Sequence, residues 1–218
     1  MEIVMYKYDV IKSVRYYREA IAKSLFMAHG YTGQASVSDL SDLRFFYSTC
    51  LTSIVSLTEY LGDVRHPYSV DFKAAINNGF VFEGAPDGEQ NYNYLLGIRN
   101  MVVHRGYDLS ANGHVVQDRL WFVLPDQASS ISGKTFYTSY ERHLPLLISK
   151  TVLKLDIIIQ SHVDNYLSQL SDRTEEEVEA EMRLSLENDN FLIPPEIKVM
   201  MLEYMDTHGI PTIPPVNQ

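Results

Sequence analysis

The most informative stretch of this sequence is Arg99-Asn100-Met101-Val102-Val103-His104-Arg105-Gly106-Tyr107. It continues an apolar helical pattern in which Ile98 and Val102 share one face. Arg99 falls inside that apolar arc, where a guanidinium is costly unless its donors are satisfied. Gly106 is the residue type that commonly ends a helix in a left-handed conformation. The stretch therefore predicts the end of a largely buried helix that carries a cation within its apolar arc.

Three polar side chains of this stretch can act together chemically. Asn100 and His104 are four residues apart, so they project from one side of the helix. Histidine is the residue type best suited to move a proton near neutral pH, which makes His104 the candidate for proton transfer. Arg99 stays charged and can bind a phosphate through two oxygens. We therefore predict a site of Arg99, Asn100 and His104, with Arg105 and Tyr107 as further candidates for contacts with a substrate.

The order of Arg99, Asn100 and His104 resembles the motif of the HEPN superfamily, in which an Arg is followed after four to six residues by a His. The family pattern often has a polar residue directly after the Arg, as Asn100 is here. The resemblance covers about residues 1–170 and implies a helical bundle. It further implies a metal-independent endoribonuclease without a cofactor, in which two protomers bring their motifs together as a homodimer and RNA cleavage leaves a 2′,3′-cyclic phosphate.

The same resemblance implies a biological setting. HEPN proteins take part in bacterial toxin–antitoxin systems and in phage defence, so RNA and an antitoxin protein are the expected partners. Some relatives carry a Tyr two residues after the His, and a nucleotidyltransferase antitoxin modifies it. In this chain Tyr107 stands three residues after His104, which departs from that pattern.

Other interpretations of the motif remain open. The arginine can serve structure alone, paired with a buried carboxylate such as Asp42, Asp71 or Asp156. Asn100 can be an ordinary surface amide, and His104 can be a polar residue favoured by the dipole at a helix C-terminus. The alternative function is a noncatalytic binding or scaffold module on the same helical fold, with protein or a nucleotide as its ligand.

Composition limits the class of protein. The 218 residues are 45% hydrophobic and 11% aromatic, which is ample for a packed core. The longest apolar segment, 144–160, is interrupted by charged residues, so no membrane span is expected. The N-terminus lacks the charged start and apolar core of a signal peptide. The single cysteine, Cys50, excludes an internal disulfide and fits a reducing cytoplasmic interior, where we expect it to be a buried small hydrophobe.

The acidic charge is concentrated at the C-terminal end. The net charge is -10, which argues against a general nucleic-acid binder. Residues 171–218 hold eleven acidic and three basic side chains, so this segment alone carries -8. The remaining residues are close to neutral, which leaves room for a local basic groove on the body.

Hydrophobic periodicity predicts a mainly α protein. We expect helices over about 8–28, 39–61, 70–76, 90–105, 144–170 and 196–208, and a charged helix opened by a capping box at Thr174 to Glu177. A small β-hairpin is expected within about 107–124: the strand-like segments are 114–116 and 120–124, and 107–109 can pair with them across a turn at 112–113. The predicted domains are a HEPN-like helical bundle over 1–170 and an acidic helical extension over 171–218. The other histidines are scattered, so no metal site is expected.

Overall fold

The computed structural model describes residues 7–30, 37–64, 66, 68–111, 113–116, 119–170, 172, 174–187 and 194–208. Within these ranges the chain forms seven helices and four short strands. The helices are α1 (Lys7–His29), α2 (Val37–Leu61), α3 (Ser69–Gly79), α4 (Gly88–Arg105), α5 (Leu144–Leu167), α6 (Glu175–Glu187) and α7 (Pro195–His208). The strands are β1 (Gly113–Val116), β2 (Arg119–Phe122), β3 (Gln127–Ser129) and β4 (Phe136–Thr138). The mainly α class predicted from the periodicity is confirmed. No helix in these ranges has the length and apolar character that a membrane span needs.

The chain divides into two compact units. The first comprises Met1–Met5 and Asp9–Leu170, and the second comprises Tyr6–Tyr8 and Ser171–Gln218. The core described below belongs to the first unit, which also holds the predicted site.

The second unit contains α6 and α7. The main-chain N–H of Thr174 donates to the Glu177 carboxylate at 2.9 Å, and the N–H of Glu177 donates to the Thr174 hydroxyl at 3.2 Å. The predicted capping box is therefore confirmed. Arg183 then links the two helices, because it pairs with Glu179 one turn earlier on α6 and with Asp206 on α7.

The core of the first unit follows the apolar stripes of its long helices. Leu43, Cys50 and Leu57 recur along α2 at helical spacing, and all are at most 2% exposed. The thiol of Cys50 is fully buried, and burial raises its pKa to about 12. Such a thiol stays protonated, so the prediction that Cys50 is a buried hydrophobe is confirmed.

The β structure agrees in part with the sequence prediction, because the strand-like segments at 114–116 and 120–124 correspond to β1 and β2. β1 and β2 pair antiparallel, with Gly113 opposite Phe122, whereas 107–109 forms no strand. A second antiparallel hairpin, β3 with β4, was not predicted at all. Its strands have three residues each, too few for an alternating pattern to be recognised. The hairpin is stabilised instead by packing on α4, where a Cβ on Gly97 would lie only 2.7 Å from the Ala128 Cβ.

Helix α3 runs further than its sequence predicts. We expected it to stop at Asn77, yet it continues through Gly79. The extra turn packs against α5, since a Cβ on Gly79 would meet the Ile158 side chain at 3.1 Å. Tertiary packing here overrides the poor helix propensity of Asn and Gly.

A buried histidine lies in an aromatic cluster between α2 and α5. The ring of His66 is 1% exposed and packs against Tyr60 and Tyr166, at centroid distances of 5.3 and 4.7 Å. Neither ring nitrogen has a hydrogen-bond partner in the described part of the chain. Burial, and to a lesser degree His162, lower the pKa of His66 to about 4, against a smaller opposing effect of Asp63. The cluster therefore holds a neutral imidazole.

This neutral imidazole predicts a loss of stability in acid. The pKa of an unfolded His is about 6.5, so below that pH the unfolded state binds more protons than the folded state. We expect the free energy of unfolding to fall as the pH drops from about 6.5 towards 4. His66→Phe keeps an aromatic ring but cannot bind a proton. The difference in the free energy of unfolding between pH 7 and pH 5, measured by urea denaturation, should therefore be smaller in this variant than in the wild type. Equal pH dependence in both proteins would contradict the prediction.

Candidate functional site

Helix α4 carries the predicted site and has well-defined ends. At its start the Asp87 carboxylate accepts a hydrogen bond from the main-chain N–H of Gln90 at 2.9 Å. At its end Gly106 has φ 63°, and its N–H donates to the Met101 carbonyl. The left-handed cap predicted at Gly106 is thus confirmed, and the motif occupies the last two turns of the helix.

Arg99 is paired with a carboxylate of α2. Its Nη2 atom donates to Oε1 of Glu59, and the arginine side chain is 15% exposed while that of the glutamate is 53% exposed. The partner required by a guanidinium in the apolar arc is therefore Glu59. None of the three aspartates considered from the sequence takes this place, and one of them, Asp156, pairs with Arg18 at 2.7 Å. The Nε atom of Arg99 is buried without a hydrogen-bond partner among the described residues.

Asn100 and His104 differ in their exposure although they are four residues apart. Asn100 is 8% exposed, and its Oδ1 atom is buried with no hydrogen-bond partner in the described ranges. It is therefore not an ordinary surface amide. His104 is exposed in the last turn of α4, and it has no hydrogen bond or ion pair to any described residue.

Arg105 and Tyr107 are engaged with the rest of the chain. Arg105 donates from Nη1 to the Ser129 hydroxyl at 2.6 Å and from Nη2 to the Ser130 carbonyl at 3.1 Å. These bonds connect the end of α4 to the last residue of β3 and to the loop that follows it. Tyr107 is half-buried and packs against the core. Arg105 and Tyr107, which the sequence suggested as contacts for a substrate, therefore make contacts within the chain itself.

The motif residues do not converge within one chain. Arg99 and His104 are five residues apart, which separates their directions by about 140° around an α-helix. Arg99 faces α2, where Glu59 lies, and His104 faces solvent. A reaction site that uses both therefore needs a second surface against the end of α4.

Glu59 is the site residue that sequence reasoning missed. The sequence around Glu59 does not distinguish it from Asp39 and Asp42, the other two acidic residues of α2. The signal that points to it is Arg99, since a guanidinium in an apolar arc implies a carboxylate on a neighbouring helix.

Glu59 also lines a groove of about 280 Å³ at the junction of α2, α3 and α4. The other polar groups of this groove come from Thr58, Lys73, Asn77 and Tyr92. A second groove, about 450 Å³ between α1, α2 and α5, has mainly apolar walls beside the pair of Arg18 and Asp156. Of these two grooves, the first is connected to the motif through the pair of Glu59 and Arg99.

The described ranges contain no cluster of three or more His, Cys, Asp or Glu side chains that could hold a metal ion. No protein-family model matches this chain. No curated protein and no solved structure is detectably similar to it. A functional assignment therefore rests on the residues themselves.

Proposed function

We propose that this chain is a metal-independent endoribonuclease that acts as a homodimer. The observation that carries the proposal is His104, an exposed imidazole without a partner in the described part of the chain, on the same helix end as a positioned arginine. An exposed imidazole without such a partner is accessible to a substrate. The proposed substrate is RNA, because its 2′-hydroxyl supplies the nucleophile for a cleavage that needs only proton transfer and cations.

The proposed reaction is an internal transfer at phosphorus. Neutral His104 takes the proton of the 2′-hydroxyl, whose oxygen forms a bond to the adjacent phosphorus. The bond from phosphorus to the 5′-oxygen breaks, and a protonated imidazole donates a proton to that leaving oxygen. Since one histidine cannot easily hold both roles, the second imidazole is His104 of the other protomer. The products are a 2′,3′-cyclic phosphate and a 5′-hydroxyl.

Arg99 is the proposed cation. Charge accumulates on the phosphoryl oxygens during the reaction, and a positioned guanidinium stabilises it. Glu59 uses one donor of the guanidinium and limits its movement, which leaves further donors for phosphate. In this role Glu59 is a positioning residue, since it acts through Arg99.

Arg99→Met separates catalysis from stability. We expect the free energy of unfolding to change by less than about 1 kcal/mol, because the remaining Glu59 is half exposed and the methionine keeps an apolar stem. Cleavage should fall by about a hundred-fold or more if the guanidinium stabilises the transition state. The measurements are urea denaturation and the cleavage rate of a labelled structured RNA. Full activity in a folded Arg99→Met protein would contradict this role.

The second candidate function is a noncatalytic binding module on the same fold. Two observations favour it: Arg99 already pairs with Glu59, and Asn100 is already buried. Both would also be expected if the motif served only to stabilise the fold. This candidate predicts no cleavage of any RNA and a protein or nucleotide ligand that protects the end of α4 from hydrogen exchange. Growth arrest on induced expression of the wild type, but not of His104→Ala, would favour the nuclease.

A further inference from the structure

The groove between α2, α3 and α4, called here the Glu59 groove, combines an apolar floor with a polar edge. Phe72 and Ile76 form buried parts of its wall, at 0% and 3% exposure. Tyr92 is fixed beside them, because its hydroxyl lies 2.8 Å from the hydroxyl of Thr58. The volume of about 280 Å³, that of about nine water molecules, is larger than a purine base, so the groove has room for one.

The edge of the Glu59 groove carries one carboxylate, one amide and one ammonium. Glu59 is 53% exposed, so its carboxylate is accessible while Arg99 orients it. Asn77 and Lys73 line the groove from α3, and both are exposed. The charged atoms therefore lie at the mouth of the groove, and the apolar surface lies inside it. An apolar interior with polar groups at its mouth suits a flat base that carries a phosphate.

We propose that the Glu59 groove binds a guanine base of the RNA, next to the phosphate that is cut; this rests on the proposed function. Unpaired RNA bases are recognised by hydrogen bonds to their Watson–Crick edge and by contacts to their faces. On that edge guanine presents two adjacent donors, N1–H and the N2 amino group, which match the two oxygens of a carboxylate. Adenine and cytosine present an acceptor beside their donor, and uracil presents one donor between two acceptors. Their lone pairs would repel Glu59.

The remaining groups complete the recognition. The amide of Asn77 can donate to the guanine O6 atom, and the ammonium of Lys73 can pair with the phosphate of the same nucleotide. Because Glu59 lines the groove and also pairs with Arg99, a base held by Glu59 would lie beside the proposed cation. The groove would thus set the sequence preference of the cleavage.

The test measures binding without cleavage. The four nucleoside 3′-monophosphates are titrated into the full-length protein by calorimetry, and we expect 3′-GMP to bind about ten- to a hundred-fold tighter than the others. Asn77→Trp should block the mouth of the groove and abolish this binding. The matched control is Asn78→Trp, because Asn78 is the next exposed residue of α3 and does not line the groove. Glu59→Gln should remove the preference for guanine.

The outcomes separate the two proposals. Equal binding of the four nucleotides, or 3′-GMP binding that survives in a folded Asn77→Trp protein, would overturn the guanine site. Selective 3′-GMP binding by a protein that cuts no RNA would support the site and overturn the nuclease. Cleavage without 3′-GMP binding and without preference for guanine would support the nuclease and overturn the guanine site.

Discussion

His104→Ala is expected to slow RNA cleavage by about a hundred- to ten-thousand-fold, the usual contribution of a positioned proton-transfer group. The helical circular dichroism should not change, because His104 is exposed and its removal leaves no described group without a partner. The measurement is the rate of cleavage of a labelled structured RNA by purified protein, with the product ends examined for cyclic phosphate. Sedimentation equilibrium should show a dimer for both proteins.

The control for this substitution is His29→Ala. His29 is also exposed and also occupies the last turn of a helix, α1, but it is not part of the motif. We expect His29→Ala to cleave RNA at the wild-type rate, and excess EDTA to leave cleavage by the wild type unchanged. Activity that survives His104→Ala, or that is lost with EDTA, would refute the proposed mechanism.

Gly88→Ala is expected to lower the free energy of unfolding by about 3 kcal/mol, the upper end of the usual cost of overpacking. A Cβ on Gly88 would lie 2.2 Å from the carbonyl oxygen of Asn77 and 2.9 Å from that of Ile76. Both are main-chain atoms of α3, so they cannot move aside as the end of a side chain can. The start of α4 would have to shift, and urea denaturation measures the cost.

Gly30→Ala is the matched control for this prediction. A Cβ on Gly30 would meet the carbonyl oxygen of Met27 at 3.4 Å, which is ordinary van der Waals contact. We expect a change of less than about 0.5 kcal/mol, as for most surface substitutions. If Gly88→Ala were as stable as Gly30→Ala, the close approach of α3 and α4 would not matter for stability.

Features of the fold that depend on neighbouring residues were predictable from the sequence. The first helix was expected over 8–28 and is Lys7–His29, because its apolar positions recur at helical spacing. The left-handed cap at Gly106 and the capping box of Thr174 and Glu177 were also predictable. In each case the interacting groups lie within six residues of one another, so local sequence contains the whole interaction.

Features that depend on distant residues were decided by the tertiary structure. Glu59 and Arg99 are forty residues apart, and only the packing of α2 on α4 brings the carboxylate to the guanidinium. Tertiary packing also determines which motif side chains are accessible: Asn100 is buried, whereas His104 is exposed. The Glu59 groove takes its walls from three helices. Local periodicity carries no information about which helix faces meet, because that choice depends on side chains that are far apart in the chain.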